Sequence, residues 1–197
     1  MTNKHHALLT GGSTGIGAAI CKRLLDAGYS VVSLDRKPAP ITHSRLTGVV
    51  VDLSDIEATR KVAKEYATSH PSTVIVHNAG AVLERPLEQV TQQDIDTLVG
   101  LHTVAPISLV QANVAAMKAA KFGRIVLIST RAVLGLANRT VYSATKASLI
   151  GMSRTWALEL GPFGITSNAI APGPIAETEV FHDIIPADSP KIPRIIE

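Results

Sequence analysis

The sequence predicts an α/β fold, a doubly wound parallel sheet with helices on both faces. Apolar, β-branched runs alternate with helical patterns along the chain of 197 residues, which is typical of strand–helix–strand units with right-handed crossovers. The strand runs are nearly continuously apolar, as in strands covered on both faces. Because 46% of the residues are hydrophobic and 18% are charged, the chain is globular. We expect a single domain over residues 1–197.

Short runs rich in Val, Ile and Leu predict the strands, because their length suits a strand better than a helix. The first run begins at Ala7, and the last ends just before Pro172. The predicted strands cover residues 7–10, 30–34, 48–53, 73–77, 124–129 and 165–171.

Helical patterns separate these strands, and several have recognisable ends. Gly28 follows the first helix, as is common just past a helix end. Ser54 and Glu57 predict a capping box at the start of the second helix. Pro106 is a candidate kink in the long third region, and Gly161 ends the last helix. The predicted helices cover residues 16–27, 54–69, 91–121 and 141–160.

Composition excludes several classes of function. The net charge is +3, but Lys and Arg are dispersed and aromatic residues make up only 4%, which argues against nucleic-acid binding. The single cysteine, Cys21, excludes an intrachain disulfide and a cysteine zinc cluster, so we predict no metal. No run approaches the ~18 apolar residues of a membrane span, and the apolar start at residues 7–9 is too short for a signal peptide. We predict a cytoplasmic protein without membrane association.

A glycine-rich loop lies between the first strand and the first helix, where residues 10–17 read TGGSTGIG. Glycines let the backbone turn sharply and approach a ligand. The start of the following helix offers unpaired N–H groups and a positive dipole end, which suit a pyrophosphate. An ordinary glycine turn is the alternative. The predicted cofactor-binding residues here are Gly11, Ser13, Thr14, Gly15, Ile16 and Gly17.

The second strand is followed by Asp35, whose carboxylate can accept hydrogen bonds from the adenosine ribose and would repel a 2′-phosphate. This favours NAD over NADP. Arg36 and Lys37 follow at once and could bind a 2′-phosphate instead. A strand-end turn residue is the structural alternative for Asp35.

Tyr142 and Lys146 stand four positions apart on a predicted helix and so share one face. A free tyrosine has a pKa of about 10, too high for a base at neutral pH. An ammonium about 4 Å away could stabilise the phenolate by up to about 4 kcal/mol at an effective dielectric constant of about 20. Tyr142 could then take a proton from an alcohol or give one to a ketone.

The glycine loop, the segment HNAG at residues 77–80 and the segment YSATK at residues 142–146 follow one another in an order that resembles the short-chain dehydrogenase/reductase family. Within it, the chain is similar to the branch of 3-oxoacyl-[acyl-carrier-protein] reductases. The resemblance implies a Rossmann-type fold and an NAD(P)-dependent oxidoreductase that interconverts a secondary alcohol and a ketone by hydride transfer. Tyr142 would be the general acid/base, and Lys146 would lower its pKa and bond the nicotinamide ribose.

The resemblance implies further cofactor contacts, to adenine, to the cofactor ribose and to the nicotinamide amide. His77 replaces an Asn of the family's motif, and Asp52 fits nearly as well as a helix cap. One member of the last group, Thr178, comes one residue later than usual. The matching positions are Asp52, Leu53, Asn78, Ala79, Gly80, Pro172, Gly173, Ile175 and Thr178.

Two catalytic positions depart from the family's pattern. The hydroxyl that bonds the substrate oxygen is either Ser129 or Thr130, and the spacing of thirteen residues before Tyr142 favours Ser129. His102 aligns with an Asn that holds a water in a proton relay. A histidine can bond water and titrates near neutrality, so the relay could survive or be slowed. Outside this alignment, His102 would be an ordinary helix residue.

Small residues on the helix after Tyr142 predict close helix approach, and we expect a homodimer or homotetramer built on this helix and the long one before it. An apolar lid formed by Phe181, Ile184 and Ile185 would favour an apolar small-molecule substrate. Family members continue into a further helix and strand, so the chain is expected to be short at its C-terminus and to lack the last strand. The alternative function is a cofactor-binding but catalytically impaired or truncated member with a regulatory or scaffold role.

Overall fold

A parallel sheet of six strands forms the centre of the computed structural model, which describes residues 6–175. Its strand order is β3-β2-β1-β4-β5-β6, so the predicted doubly wound α/β fold is confirmed. The order reverses between β1 and β4, and ligands of such folds bind beyond the carboxyl ends of the strands at this switch point. The predicted lack of a further strand concerns residues outside the described part. The strands are β1 His6–Thr10, β2 Ser30–Asp35, β3 Leu46–Val50, β4 Val74–His77, β5 Gly123–Ile128 and β6 Ile165–Ile170.

The helices lie in the predicted places, with one important difference. The region predicted as a single helix over residues 91–121 is divided by a π-helical turn at Gly100–Val104. Pro106 is the second residue of the helix that follows that turn. Because proline cannot donate to the carbonyl four residues earlier, the wider turn accommodates it without a break. The helices are α1 Gly15–Asp26, α2 Ile56–Ser69, α3 Gln92–Val99, α4 Ala105–Ala120 and α5 Thr140–Leu160.

The predicted capping box at the start of α2 is wrong. Asp55 is the N-cap, and its carboxylate accepts from the N–H of Ala58 at 3.0 Å. The Ser54 hydroxyl instead donates to Asp52 at 2.7 Å. The Ser54 hydroxyl is therefore bonded to the Asp52 carboxylate and does not cap the helix. Asp52 is not the helix cap either.

Both faces of the sheet carry a hydrophobic core, and alternate residues of one strand serve opposite faces. Leu8 of β1 packs with α2, α4 and α5, whereas Leu9 packs with Cys21 and Leu25 of α1. By length and composition the helical run Gln92–Ala120 could cross a membrane, but half of its apolar window is buried inside the fold. Its hydrophobicity belongs to a core helix that supports the sheet.

Candidate active site

The glycine-rich loop closes tightly against the turn after β4. Gly11 has a φ of +67°, and a Cβ added to it would lie 2.8 Å from the Cα of Ala79. A Cβ on Gly17 would lie 1.7 Å from the Gly11 carbonyl oxygen. Only glycine fits these positions, so the start of α1 is left as a cradle lined by backbone.

The first turn of α1 is free to receive an anion. Thr14 is its N-cap but makes no side-chain capping bond, and the first turn contains no acidic residue. The N–H groups at a helix start carry a positive partial charge and point toward a ligand placed there. The cradle and these N–H groups together fit the pyrophosphate of a dinucleotide.

Thr10, at the end of β1, connects that strand end to the turn after β4 by hydrogen bonds. Its buried hydroxyl oxygen accepts from the N–H groups of Asn78 at 3.0 Å and Ala79 at 2.9 Å. The Asn78 side chain donates to the Gly11 carbonyl at 2.9 Å. The turn that follows β4 is thereby fixed against the glycine loop.

The Thr10 hydroxyl also determines which ring nitrogen of His77 carries the proton. His77 is fully buried. The oxygen of Thr10 already accepts twice, so we infer that its proton is donated to Nδ1 of His77, 3.0 Å away. The ring is then neutral, with its proton on Nε2. Burial first, and the charge of Lys146 second, lower the pKa of His77 to about 3, while the Leu101 backbone acts in the opposite direction.

Asp35 lies at the carboxyl end of β2, at the edge of the cradle. One carboxylate oxygen accepts from the Ser13 N–H at 2.9 Å and the other from the Lys37 N–H at 3.1 Å. The Ser13 hydroxyl donates to the Lys37 carbonyl at 2.8 Å. These bonds orient the carboxylate and leave it further lone pairs for a ribose hydroxyl.

Asp52 and Leu53 follow β3 and differ in exposure. Asp52 is exposed, and one of its oxygens accepts from both the N–H and the hydroxyl of Ser54. Burial acts to raise the pKa of Asp52, but the bonds from Ser54 and the charge of Arg36 outweigh it, so the pKa is lowered. Leu53 packs in the core with 3% of its surface exposed, which fixes this turn to the sheet.

The pKa of Tyr142 is raised rather than lowered. Lys146 is buried, and its ammonium donates to the Ile128 carbonyl at 2.8 Å. Burial is the main cause of the raised pKa of Tyr142, and it is opposed by a hydrogen bond from Thr130 and by the charge of Arg139. Burial also lowers the pKa of Lys146 to about 8. The predicted lowering of the Tyr142 pKa by Lys146 is therefore not what this structure shows.

The two candidate hydroxyls lie in different places. The Ser129 hydroxyl is buried and donates to the Lys146 backbone carbonyl at 2.8 Å. Thr130 is half-buried, accepts from the Ala132 N–H at 3.2 Å and lies near enough to the phenol to act to lower the pKa of Tyr142. The Ser129 hydroxyl thus holds α5 against β5, and the preference for it as the catalytic hydroxyl stays a prediction.

His102 is buried in the π-helical turn beside Tyr142, with 5.9 Å between ring centroids and an interplanar angle of 73°. Its Nε2 accepts from the Ala81 N–H at 3.3 Å. Its Nδ1 lies 2.9 Å from the Thr145 oxygen, whose own proton is donated to the Val141 carbonyl. We infer that Nδ1 carries the proton and that the ring is neutral.

The expectation that His102 titrates near neutrality is wrong. Burial first, then the charges of Lys146 and His77, lower the pKa of His102 to about 2. A Cβ on Gly80 would lie 3.0 Å from the Lys146 nitrogen and 3.2 Å from Nε2 of His102. The turn at Gly80 is thus enclosed by a cation and a histidine held neutral.

The segment after β6 passes beside the end of β5. The Pro172 carbonyl accepts from the Arg131 N–H at 2.9 Å. Gly173 has open space at its Cβ position, and Ile175 is 43% exposed. The predicted site and lid residues that lie outside the described residues are Thr178, Phe181, Ile184 and Ile185.

Arg139 is a site residue that the sequence analysis missed. Only 4% of its side chain is exposed, and its guanidinium lies 2.8 Å from the Glu84 carboxylate. It is the N-cap of α5, three residues before Tyr142, and that nearness in sequence was a usable signal. Between residues 6 and 175 no cluster of His, Cys, Asp and Glu could hold a metal ion.

Comparison with known proteins gives consistent similarities. A family model described as short chain dehydrogenase matches residues 5–188. The chain is 34% identical to the 3-oxoacyl-[acyl-carrier-protein] reductase MabA of Mycobacterium avium, over 88% of this chain and 68% of that protein. A solved structure of 4-hydroxyisoleucine dehydrogenase complexed with NADH is 26% identical, with a TM-score of 0.83 over 94% of this chain and 82% of that one. A solved structure of ElxO with NADP bound is also 26% identical, with a TM-score of 0.81 over 91% of this chain and 77% of that one.

Proposed function

Because the chain belongs to the short chain dehydrogenase family, we propose that it is an NAD(P)-dependent oxidoreductase that interconverts a secondary alcohol and a ketone. One observation carries the proposal. The cradle at the start of α1 and the group of Tyr142, His102 and Lys146 around the turn at Gly80 both lie at the carboxyl ends of the sheet strands. The nicotinamide of a bound cofactor would supply the hydride chemistry there.

Tyr142 is the proposed general acid/base, and Thr130 replaces Ser129 as the hydroxyl that bonds the substrate oxygen. Thr130 supports this role because its hydroxyl lies near the phenol, whereas the Ser129 proton is donated to the Lys146 carbonyl. A hydroxyl near the phenol could bond the same substrate oxygen, and general acid–base catalysis requires such a geometry. Lys146 would bond the nicotinamide ribose, and its pKa of about 8 means that it is mostly charged at neutral pH.

The proposed cofactor is NAD, with NADP the less favoured choice. The Asp35 carboxylate, fixed at the edge of the cradle, supports ribose binding and opposes a 2′-phosphate. Similar structures hold NADH in one case and NADP in another. The residues proposed to hold the cofactor are Gly11, Ser13, Thr14, Gly15, Ile16, Gly17, Asp35, Arg36, Asp52, Leu53, Asn78, Ala79, Gly80, Tyr142, Lys146, Pro172, Gly173, Ile175 and Thr178.

A cytoplasmic homodimer or homotetramer that acts on a small-molecule alcohol or ketone remains our proposal for the assembly. Along α5, Ala144, Ala147, Gly151 and Leu158 are exposed at helical spacing. Small residues allow two helices to approach closely, and Leu158 offers an apolar contact. Sedimentation that shows only monomer at micromolar concentration would contradict this proposal.

A catalytically impaired, cofactor-binding member is the second candidate. Two observations favour it: the raised pKa of Tyr142, and a neutral, buried His102 where the family has Asn. Both would slow proton transfer without affecting the cradle.

Turnover of alcohols and ketones, including 3-oxoacyl thioesters, with NAD(H) and NADP(H) tests the proposal. We expect turnover with the wild-type protein, and Tyr142→Phe should lower kcat by about 1,000-fold. NADH binding, followed by fluorescence, should survive that substitution. Turnover that Tyr142→Phe leaves unchanged would contradict the role of Tyr142. Binding without turnover in the wild type would establish the second candidate.

A further inference from the structure

His102 stands at the middle of the π-helical turn and is fully buried. Its ring bonds two separate segments, because Nε2 accepts from the Ala81 N–H at 3.3 Å and Nδ1 lies 2.9 Å from the Thr145 oxygen. The Thr145 hydroxyl donates its own proton to the Val141 carbonyl at 2.8 Å, so it accepts the proton of Nδ1. Both ring nitrogens are thus used within the protein, and neither is left to bond a water.

The bond to Thr145 acts on the part of α5 that carries the proposed chemistry. Thr145 lies three residues after Tyr142 and one before Lys146. The His102 ring also meets the Tyr142 ring edge to face, with 5.9 Å between centroids. Since the side chains of a helix have fixed directions relative to one another, holding Thr145 also holds the directions in which Tyr142 and Lys146 leave α5.

The bond to Ala81 acts on the turn after β4. Ala81 directly follows Gly80, where an added Cβ would lie 3.0 Å from the Lys146 nitrogen and 3.2 Å from Nε2 of His102. The main chain at Gly80 therefore passes closely between the ammonium and the imidazole. His102 connects this turn, which is proposed to hold the cofactor, to the helix that carries Tyr142.

A second bridge joins the π-helical turn to α5 and provides a comparison. The Thr103 hydroxyl lies 3.0 Å from the Ser148 hydroxyl, whose own proton is donated to the Thr145 carbonyl at 2.7 Å. Within residues 6–175, Thr103 makes no hydrogen bond to the turn after β4. The two bridges therefore share the same pair of elements, but only that of His102 reaches the proposed site.

We propose that His102 is a positioning residue that fixes the turn at residues 80–81 against the Tyr142 face of α5 and carries no proton of the reaction. The inference rests on the proposed function, in which this turn holds the cofactor and Tyr142 exchanges a proton with the substrate. It gives His102 a role different from that of the Asn in the family's pattern, which holds a water in a proton relay.

Cofactor affinity separates positioning from a proton relay, because a relay acts on kcat alone. Thr145→Val keeps the side-chain shape but removes the acceptor of Nδ1, and His102→Phe keeps a ring but removes both nitrogens. Each should lower the affinity for NADH by about tenfold, which is the worth of about one hydrogen bond. The double variant should also lose about tenfold rather than about 100-fold, because both substitutions break the same bond. Fluorescence titration measures these affinities, with NADPH in place of NADH if the wild type binds it more tightly.

Two control variants separate positioning from a general loss of stability. Thr145→Ser keeps the hydroxyl and should restore the affinity to within about twofold of the wild type. Thr103→Val removes the second bridge and should lower Tm as much as Thr145→Val does, while the affinity stays within about twofold of the wild type.

Nitrogen-15 NMR of the histidine rings tests the proton itself in the protein alone. His102 should be neutral with its proton on Nδ1 between pH ~6 and ~8, because the bond that each nitrogen makes decides which one is protonated. The chain has seven histidines, and the resonance that disappears in His102→Phe identifies His102. A proton on Nε2, or a ring that becomes charged in this range, would overturn the proposal.

Unchanged affinity in both Thr145→Val and His102→Phe, or an equal loss in Thr103→Val, would also overturn it. Should His102→Phe fail to fold, Thr145→Val and Thr145→Ser decide the matter. Turnover in the wild type together with unchanged affinities overturns the inference alone. Tenfold losses in a protein that binds NADH without turnover would support the inference and contradict the proposed function. A wild type that binds neither NADH nor NADPH would overturn both.

Discussion

The two halves of the proposed site, the cradle for the nucleotide and the surroundings of Tyr142, are built by different means. On the nucleotide side, the shape comes from main-chain groups and missing Cβ atoms, as at Gly11 and Gly17, and one threonine fastens the strand ends. On the proposed chemical side, Tyr142 lies among side chains from separate segments, such as His102 and Thr130, and burial dominates the pKa values. A short motif therefore specifies the first side, whereas the second depends on where distant segments meet.

The largest effect is expected on the nucleotide side. Gly17→Ala would place a Cβ against the Gly11 carbonyl, and we expect NADH affinity to fall by at least about 100-fold, or about 2.7 kcal/mol. Gly161→Ala is the matched control, because nothing lies within 4 Å of its Cβ position. Fluorescence titration measures both, and Tm reports any loss of stability. Wild-type affinity in Gly17→Ala would show that the backbone does not define this side.

Paired substitutions at the end of β5 test the chemical side. Thr130→Val should lower kcat/KM by about 30-fold, since a hydrogen bond to a charged oxygen is worth about 2 kcal/mol. Ser129→Ala should keep activity and lower the free energy of unfolding by about 1 kcal/mol, because its bond holds α5 to β5. Steady-state kinetics and urea unfolding separate the two outcomes. The reverse pattern would restore Ser129 as the catalytic hydroxyl.

Asp35 tests whether a side chain also matters on the nucleotide side. Asp35→Asn keeps an oxygen acceptor for the Ser13 N–H but removes the negative charge. We expect the ratio of NADPH to NADH affinity to rise by about tenfold, because repulsion of the 2′-phosphate is lost. Fluorescence titration with both cofactors measures the ratio. An unchanged ratio would mean that Asp35 is only a turn residue.

The smallest effect that we expect for a single residue is the loss of unfolding free energy at acid pH that each of the two buried histidines causes. The pKa is about 3 for His77 and about 2 for His102, both below the ordinary value of about 6.5. Above pH ~6.5 their contribution to stability is complete, and it is lost as pH falls, since the unfolded chain takes up protons that the folded chain does not. Between pH ~6.5 and ~5.5, each should cost about 1 kcal/mol of unfolding free energy.

Urea unfolding across that pH range measures the slope. His77→Asn and His102→Asn should each flatten it, and measurements at neutral pH give the cost of substitution that is independent of protonation. A slope that neither variant changes would show that the histidines are not held neutral by the fold.

The fold was predictable because its signals are local. The strand runs and the glycine loop are contiguous, and their parallel order follows from the alternation with helices. The π-helical turn at Gly100–Val104 was not predictable, because the apolar periodicity of the sequence hardly changes over a single wide turn. The spacing that favours Ser129 does not tell which hydroxyl bonds the backbone of α5 and which lies near the phenol. The pKa of Tyr142 is set mainly by burial, which no short motif encodes.

The π-helical turn also sets the relative phase of the two helices that it joins. Each residue of an α-helix rotates the chain by about 100° about its axis. Removing one residue from Gly100–Val104 would therefore re-aim α4 against α3 by about that angle and carry His102 away from Thr145. The number of residues in the π-helical turn therefore fixes the rotation of α4 relative to α3. A single insertion or deletion there, far from Tyr142 in sequence, would change the contacts of Tyr142 more than most substitutions would.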